Sequence, residues 1–180
     1  VTSRNGVSVI VERSMYLSGH GRTFDAGHES AAIEAPARQW FLAEGATGTF
    51  FDLFTLIANP GDEAARVEVR YLLPTGAPVV RTYDVAPNSR FNIWVDWEDA
   101  RLADTSVAQV ITSTNGVPIV VERAMWWSAD SWYEGHNSAG ATQAGSKWAA
   151  AGGEESGRYA VETYILVANT STFGGDVDVT

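Results

Sequence analysis

Two Glu-Arg pairs are the charged residues best placed to do chemistry, because each interrupts an otherwise apolar stretch. Glu12-Arg13 lies in residues 7–17 and Glu122-Arg123 lies in residues 117–127. Both stretches are rich in β-branched and aromatic residues, which is typical of β-strands. Neighbouring residues in a strand point to opposite faces, so the members of a pair cannot bond to each other. Each of the four charges therefore needs a partner elsewhere.

A glycosidase uses two carboxylates that face one another across a cleft, and Glu44 with Glu122 could supply them. The sequence favours a structural role instead. Residues 148–153 repeat the pattern of residues 40–45, but they read Trp-Ala-Ala-Ala-Gly-Gly where the first copy reads Trp-Phe-Leu-Ala-Glu-Gly. A catalytic pair is not expected to occur twice with one member lost. We therefore interpret these charged residues as structural anchors and expect no enzyme; the set is Glu12, Arg13, Glu44, Glu122 and Arg123.

His28 and His136 occupy the same place in a repeated pattern, each preceded by Gly and followed two residues later by Ser. No Asp or Cys completes a nucleophilic triad with them at adequate spacing. We expect both to act as hydrogen-bonding anchors, for example to a half-buried carboxylate. The chain has no cysteine and three histidines. This excludes disulfides and thiolate metal sites and leaves little for a zinc site, so no metal or cofactor is predicted.

Four acidic residues just beyond the middle of the chain lie close enough to one another in sequence to suggest a calcium site. They do not follow an EF-hand or similar ligand spacing, so solvated loop charges are the favoured interpretation. They are Asp96, Glu98, Asp99 and Asp104.

Aromatic residues offer a different chemistry, because exposed rings on a β-sheet can stack on sugars. Trp126 and Trp127 are neighbours in a predicted strand, so one of them should point outward or into an interface. Packing in the core or at an interface remains the default for the whole set. The candidates for a ligand or interface are Trp126, Trp127, Trp132 and Tyr133, and the wider aromatic set also includes Trp94 and Trp97.

The Glu-Arg motif belongs to an internal repeat of about 110 residues. Residues 2–15 match residues 112–125 at most positions, including the Asn5-Gly6 and Asn115-Gly116 pairs. Trp148 corresponds to Trp40 at an offset of 108, and residues 164–169 correspond to residues 54–59 at an offset of 110. Chance similarity over so many ordered positions is not a credible explanation. The chain therefore holds about one and two-thirds copies of a unit.

Composition predicts an all-β protein without a nucleic-acid partner. The 180 residues are 45% apolar and include 17 glycines and 6 prolines, and Val, Thr and aromatic residues are plentiful. The net charge of −10 offers no basic face for phosphates and disfavours anionic membranes. No apolar run approaches the roughly 20 residues of a membrane helix, and the first residues show no signal-peptide pattern.

Alternating apolar and polar residues predict seven short strands between residues 40 and 127, with turn signals between them. In residues 65–73, for instance, the apolar side chains fall on one face and Arg66, Glu68 and Arg70 on the other. The Asn-Gly pairs and residues 86–89 are predicted hairpin turns, and residues 97–103 a helical turn. The small, polar segments 18–39 and 128–147 are predicted loops. Seven such strands are typical of an immunoglobulin-like antiparallel β-sandwich.

The segments 40–45, 56–60, 65–71 and 121–125 together resemble the tandem β-sandwich repeats of large secreted or surface-attached bacterial proteins. The resemblance covers essentially the whole chain. It implies an uncharacterised stalk or surface module rather than an activity.

These observations predict three parts: the C-terminal hairpin and linker of one unit in residues 1–39, a complete unit with its linker in 40–147, and the first strands of another in 148–180. The two outer parts would leave strand edges open. Either the chain is a slice of a longer array, which we favour, or terminal strands are exchanged between chains.

The predicted function is a non-enzymatic structural module outside the cell or on its surface, acting as stalk, fibre or sheath subunit. Its partners would be neighbouring units or other copies of the chain. The alternative is an adhesive or glycan-binding module that uses exposed aromatics, and a hydrolase is a distant third.

Overall fold

The structure is a computed structural model that describes residues 1–19, 21–128, 132, 134–156 and 162–179. Regular structure within these ranges is almost entirely β. In chain order the strands are β1 (Glu12–Gly19), β2 (Arg22–Ala31), β3 (Gln39–Leu42), β4 (Phe51–Asn59), β5 (Ala65–Leu72), β6 (Val79–Val85), β7 (Ser89–Trp94), β8 (Ala108–Ser113), β9 (Val120–Trp127) and β10 (Glu134–Ala139). Short 3-10 turns at Val95–Trp97 and Ala100–Leu102 join β7 to β8.

Eight of these strands form two antiparallel four-stranded sheets that face each other. One sheet has the order β10-β9-β4-β7 and the other has the order β3-β8-β5-β6. The strands β1 and β2 form a separate two-stranded hairpin. The predicted all-β, sandwich-like architecture is therefore confirmed for residues 39–139.

The core lies between the two sheets because each strand alternates apolar residues inward with polar residues outward. In β5, Ala65, Val67, Val69 and Tyr71 are completely buried, as the alternation predicted. Opposite them, β4 contributes Leu53 and Ile57, and Trp40 of β3 is 2% exposed. The Trp40 indole N–H donates to the carbonyl oxygen of Ile119, which ties the start of the unit to the approach of β9.

Polar groups inside the sandwich are few and several are hydrogen-bonded at defined points, although Gln109 Nε2 and Arg123 Nε lack a partner among the described residues. The Thr55 hydroxyl donates to Gln109 Oε1 at 2.6 Å, which joins β4 to β8 across the core. Asn59 closes one corner, because its amide donates to the carbonyl oxygens of Val85 and Ala86. Buried polar groups stabilise a fold only when they are bonded in this way.

The polar segments predicted as loops contain two strands, so that prediction was wrong. Residues 18–39 include β2, and residues 128–147 include β10. Their sequences lack the usual apolar alternation because each strand buries little: only Ala26 in β2 and Asn137 in β10 are buried. A strand is recognised in sequence by alternating apolar and polar residues, and a segment of small and polar residues does not show that alternation.

Two predicted hairpin turns instead carry the chain from one sheet to the other. The Asn115-Gly116 turn joins β8 to β9, and residues 86–88 join β6 to β7. Asn115 holds the first turn by accepting from the Arg66 backbone N–H and donating to the Ala64 carbonyl oxygen. The Asn5-Gly6 pair is also not a hairpin turn, since residues 1–11 are irregular and β1 begins only at Glu12.

As a result the strand order is not that of an immunoglobulin domain. In that fold the first strand shares a sheet with the second and the last shares a sheet with the sixth. Here the first strand of the sandwich, β3, pairs with β8, while β9 pairs with β4. The sandwich was predicted correctly, but the immunoglobulin strand order was not.

Within residues 148–156 and 162–179 the structure contains no strand, although the repeat predicted strands there. Apolar side chains in this part lie in solvent, including Tyr164, Ile165 and Phe173. In the complete unit the corresponding strand, β4, is hydrogen-bonded on both edges, by β7 and β9. No described strand supplies those partners here, and the assignment of residues 148–180 to another unit remains a prediction.

Removal of the Thr55 hydroxyl should show how much its hydrogen bond to Gln109 contributes to the free energy of unfolding. Thr55→Val leaves Gln109 Oε1 buried without a donor, so the free energy of unfolding should fall by about 1–3 kcal/mol. The double variant Thr55→Val/Gln109→Leu should recover most of this loss, because both polar groups are gone. Chemical denaturation of the three proteins measures both values. A double variant no more stable than Thr55→Val would contradict the assignment.

Candidate functional site

The inward face of β9 carries a buried guanidinium. Arg123 lies on the same face as the core residues Val121 and Met125 and is 5% exposed. Its Nη2 lies 2.5 Å from Glu44 Oε2, and its Nη1 donates to the Glu44 carbonyl oxygen at 3.0 Å. Glu44 follows β3, so this pair fixes the loop before β4 to the closing strand of the unit.

His136 of β10 completes the same cluster, which we call the Glu44 cluster (Glu44, Arg123 and His136). Its Nε2 lies 3.6 Å from Glu44 Oε1, and its ring contacts Trp127 edge-on at 5.6 Å. The neighbouring His136 and the charge of Arg123 hold the pKa of Glu44 below its usual value, against the opposing effect of burial. Burial lowers the pKa of Arg123, and Glu44 offsets that effect. The structure thus places one of the two histidines predicted as anchors beside Glu44.

Glu122 points to the other side of the sheet, where the β1–β2 hairpin covers the outer face of β9 and β10. Glu122 Oε2 lies 2.7 Å from Arg13 Nη1, and Arg13 Nη2 donates to Ser30 Oγ at 2.9 Å. Ala124, on the same outer face of β9, is 3% exposed. Glu12 lies on the far side of the hairpin, is exposed, and has no ion pair with any described residue.

His28 lies between the hairpin and the sandwich, and no described residue hydrogen-bonds to either of its ring nitrogens. Its ring meets that of Trp126 edge-on at 5.4 Å. Burial lowers its pKa, and so do the positive charge of Arg13 and the proximity of His136, while Glu122 has the opposite effect. The amide of Asn137 is buried in the same interface and also lacks partners among the described residues. Arg13 and Glu122 therefore hold this interface at one end, while its other polar groups are unsatisfied.

The geometry argues against the glycosidase interpretation. Glu44 binds the inward residue Arg123, whereas Glu122 binds Arg13 on the outer face. The two carboxylates thus lie on opposite sides of one sheet and cannot flank a single scissile bond.

The acidic residues after β7 are structural, which the sequence did not show. Asp96 accepts the backbone N–H groups of Gly48 and Leu53, and burial raises its pKa. Glu98 accepts the Tyr83 hydroxyl. Asp99 pairs with Arg81 and Arg101, and the hydrogen bonds from Arg101 lower its pKa. The prediction of solvated loop charges was therefore wrong for these three; among the described residues no group of three acidic or histidine side chains is placed to hold a metal.

The predicted aromatic set divides between two places. Trp127 is half-buried against Phe51 and His136 near the sandwich end. Trp126 is half-buried on the outer face and stacks on Trp132 with ring centroids 6.1 Å apart. Tyr133 lies outside the described residues. Neighbouring tryptophans thus point to opposite faces, as the strand period predicted.

Asp52 organises the outer aromatics and was missed from sequence. Its carboxylate is 6% exposed and accepts the indole N–H of Trp94 at 3.1 Å and that of Trp132. Phe54 packs against both indoles. The signal that could have revealed it was an acidic residue within an apolar strand, flanked by aromatics in β4.

Searches of known proteins found a shared fold but no family. No family model matches the chain, and no curated protein matches it. The crystal structure of Thermotoga maritima protein 1070 aligns with a TM-score of 0.54 and 21% identity, over 62% of this chain and 98% of that one. The Anabaena sensory rhodopsin transducer aligns with a TM-score of 0.43 and 27% identity, over 51% of this chain and 99% of that one.

The match to the Thermotoga protein corrects one sequence-based inference. The resemblance to tandem immunoglobulin-like repeats of secreted or surface-attached bacterial proteins was wrong, since the Thermotoga protein is a solved structure that shares the fold. At this level of identity the match shows the fold alone. The described part of the chain also has no helix long and apolar enough to span a membrane.

Neutralising Glu44 should destabilise the protein strongly. Glu44→Gln leaves the Arg123 guanidinium buried without a counter-charge, so we expect a loss of about 3–5 kcal/mol in the free energy of unfolding. The matched control is Glu122→Gln, which should cost about 1 kcal/mol or less, because Arg13 is 40% exposed and water can solvate it. Denaturant unfolding measures both. Equal losses in the two variants would show that Arg123 does not depend on Glu44.

The hairpin should be held less tightly at acidic pH. Because the pKa of His28 in the folded state lies below its usual 6.5, the unfolded state binds more protons. The stability contributed by neutral His28 is therefore complete above pH 6.5 and is lost as pH falls toward the lowered pKa. Amide exchange in β1 and β2, corrected for intrinsic rates, should quicken in this window while exchange in β4 does not. In His28→Phe this pH dependence should shrink; an unchanged profile would assign it to another group.

Proposed function

We propose that this chain is a non-enzymatic structural module made of consecutive β-sandwich units, acting as part of a stalk, fibre or sheath outside the cell. Residues 40–147 would be one complete unit with its linker. Residues 1–39 would be the closing hairpin and linker of one unit, and residues 148–180 the opening of another. The observation that carries the proposal is the equivalence of the two hairpins, β1–β2 and β9–β10.

The two hairpins pair in the same register with the same residue types. Arg13 faces Ser30 and Met15 faces His28 in the first hairpin. In the second hairpin the facing pairs are Arg123 with Ser138 and Met125 with His136. A register slip of one residue would invert every side chain, so a shared register over the whole hairpin supports a common origin as a unit.

A glycine lies beneath an aromatic ring in both hairpins. Gly27 faces Tyr16, and Gly135 faces Trp126. A Cβ at Gly27 would lie 2.7 Å from the Tyr16 ring, and one at Gly135 would lie 2.5 Å from the Trp126 ring. Both glycines are thus required by the same close approach.

Local hydrogen bonds also recur outside the hairpins, at the offsets of the sequence repeat. The indoles of Trp40 and Trp148 each donate to the carbonyl oxygen three residues earlier. The amides of Asn59 and Asn169 each donate to the carbonyl oxygen four residues later and accept a backbone N–H two residues later. The second copies form these turns even though their strands are unpaired. This supports residues 148–180 as the opening of another unit.

The charged groups support a structural rather than a catalytic role. Glu44 and Glu122 are each engaged in an ion pair, on opposite faces of the sheet. The linker between hairpin and sandwich is likewise bonded: Ala37 exchanges two backbone hydrogen bonds with Ile119. After β10, Ala141 exchanges two with Phe41. Short linkers fastened in this way favour a fixed placement of successive units over a flexible chain of beads.

Proteins containing two, three and four successive copies of residues 40–147 test this proposal. If units stack in a fixed orientation, the maximum dimension from small-angle X-ray scattering should grow linearly with copy number. The control series carries ten Gly and Ser residues after each Lys147, and its dimension should grow more slowly, roughly with the square root of length. Square-root growth in both series, or a compact particle, would contradict a stalk or fibre.

A further inference from the structure

The β1–β2 hairpin packs on β9 and β10 and does not cover the outer face of the β4–β7 half of the first sheet. Trp94 of β7 is 38% exposed and Trp97, in the turn that follows, is 78% exposed. Their rings meet edge-to-face at 5.9 Å. Phe54 and Trp132 extend the surface, and we call these four residues the aromatic platform.

We propose that the aromatic platform binds a neutral polysaccharide by stacking sugar rings on its indole faces. This inference does not rest on the proposed structural function, because it uses a surface that plays no part in the repeat argument. It rests on three features of the β4–β7 face: the fixing of the rings by Asp52, free polar groups beside them, and the sign of the local charge.

Asp52 holds the rings by their edges. Its buried carboxylate accepts the indole N–H groups of Trp94 and Trp132, one on each oxygen. A buried carboxylate destabilises a protein unless it is hydrogen-bonded, so Asp52 depends on both indole N–H groups. These two bonds fix the planes of both rings more firmly than apolar packing alone would. With the N–H edges directed inward, the apolar ring surface of Trp94 is what remains for contact. Pyranose C–H groups pack on such electron-rich faces.

Hydrogen-bonding groups continue the surface along β7. Asn92 and Arg90 point to the same face as Trp94, opposite Leu56 and Ala58 of β4. Both side chains are exposed, and neither bonds to any described residue. At a rise of about 3.3 Å per residue, the strip from Trp94 to Arg90 is roughly 13 Å long. It thus offers stacking surface and free hydrogen-bonding groups in a row, as an extended chain of hydroxyl-bearing rings requires.

Charge decides the class of glycan. The carboxylate of Asp52 lies directly beneath the rings. Asp96 lies near it, and the charge of Asp52 adds to the effect of burial in raising the pKa of Asp96. The chain as a whole carries a net charge of −10. Arg90 supplies one positive charge at the far end of the strip, but the field of the acidic chain around it still disfavours an acidic polysaccharide. A second copy of the chain, equally acidic, is a poorer partner for the same reason.

Native affinity electrophoresis of the full chain in gels containing laminarin, xylan or dextran tests the proposal, with polygalacturonate as the acidic probe. At least one neutral polymer should retard the protein, and polygalacturonate should not. Trp97→Ala should weaken the affinity about tenfold or more, and Asn92→Ala should weaken it less. Trp148→Ala is the matched control, because Trp148 is also exposed, at 73%, but lies outside the platform.

Three results would overturn the proposal. The first is the absence of retardation by any of the three neutral polymers. The second is equal retardation of Trp97→Ala and the wild type, or equal weakening by Trp148→Ala. The third is self-association of the wild type in sedimentation that Trp97→Ala abolishes, which would make the platform a contact between copies. Unchanged thermal unfolding of Trp97→Ala and Asn92→Ala excludes misfolding as the cause of weaker binding.

Discussion

The two-residue period of β9 is the constraint on which the rest of this structure depends. It sends Arg123 into the sandwich and Glu122 out of it, one residue apart. The inward charge must find a counter-charge in the core, which fastens the loop at Glu44 to the last strands of the unit. The outward charge is free to hold a separate element, the β1–β2 hairpin. The Glu122-Arg123 dipeptide thereby joins β9 to the loop at Glu44 on one face of the sheet and to the β1–β2 hairpin on the other.

Burial separates these two ion pairs in strength as well as position. Arg123 is 5% exposed, so its desolvation is repaid only while Glu44 and the backbone carbonyl oxygen remain in place. Arg13 keeps 40% of its side chain in solvent and gains far less from Glu122. The hairpin interface also contains His28 and Asn137 without partners among the described residues. The sandwich should therefore be the stable part of the chain, and the docked hairpin the part that opens first.

Much of this arrangement could be predicted from sequence, and the failures have physical causes. Strand β5 was recognised because its apolar and polar residues alternate over a complete strand, and His136 was singled out because it recurs in the repeated pattern of the sequence. Strands β2 and β10 were missed because they bury almost no apolar side chain. The crossing of Asn115-Gly116 between sheets was missed because it depends on bonds from Asn115 to Arg66 and Ala64, which are distant in sequence. Asp52 was missed for a similar reason, since its indole donors come from β7 and from the segment after β9.

The β1–β2 and β9–β10 hairpins pair in the same register, but their outward faces differ. The exposed face of the first has Ser14 opposite Glu29, whereas the covered face of the second has Ala124 opposite Asn137. An amide and a methyl at these positions avoid burying a carboxylate and a hydroxyl, although the Asn137 amide is itself left without partners among the described residues. The inward positions of the two hairpins carry the same Arg, Met, His and Ser residues. The inward faces therefore match, whereas these outward positions differ between the exposed hairpin and the covered one, and the burial of Asn137 is the cost that the covered hairpin retains.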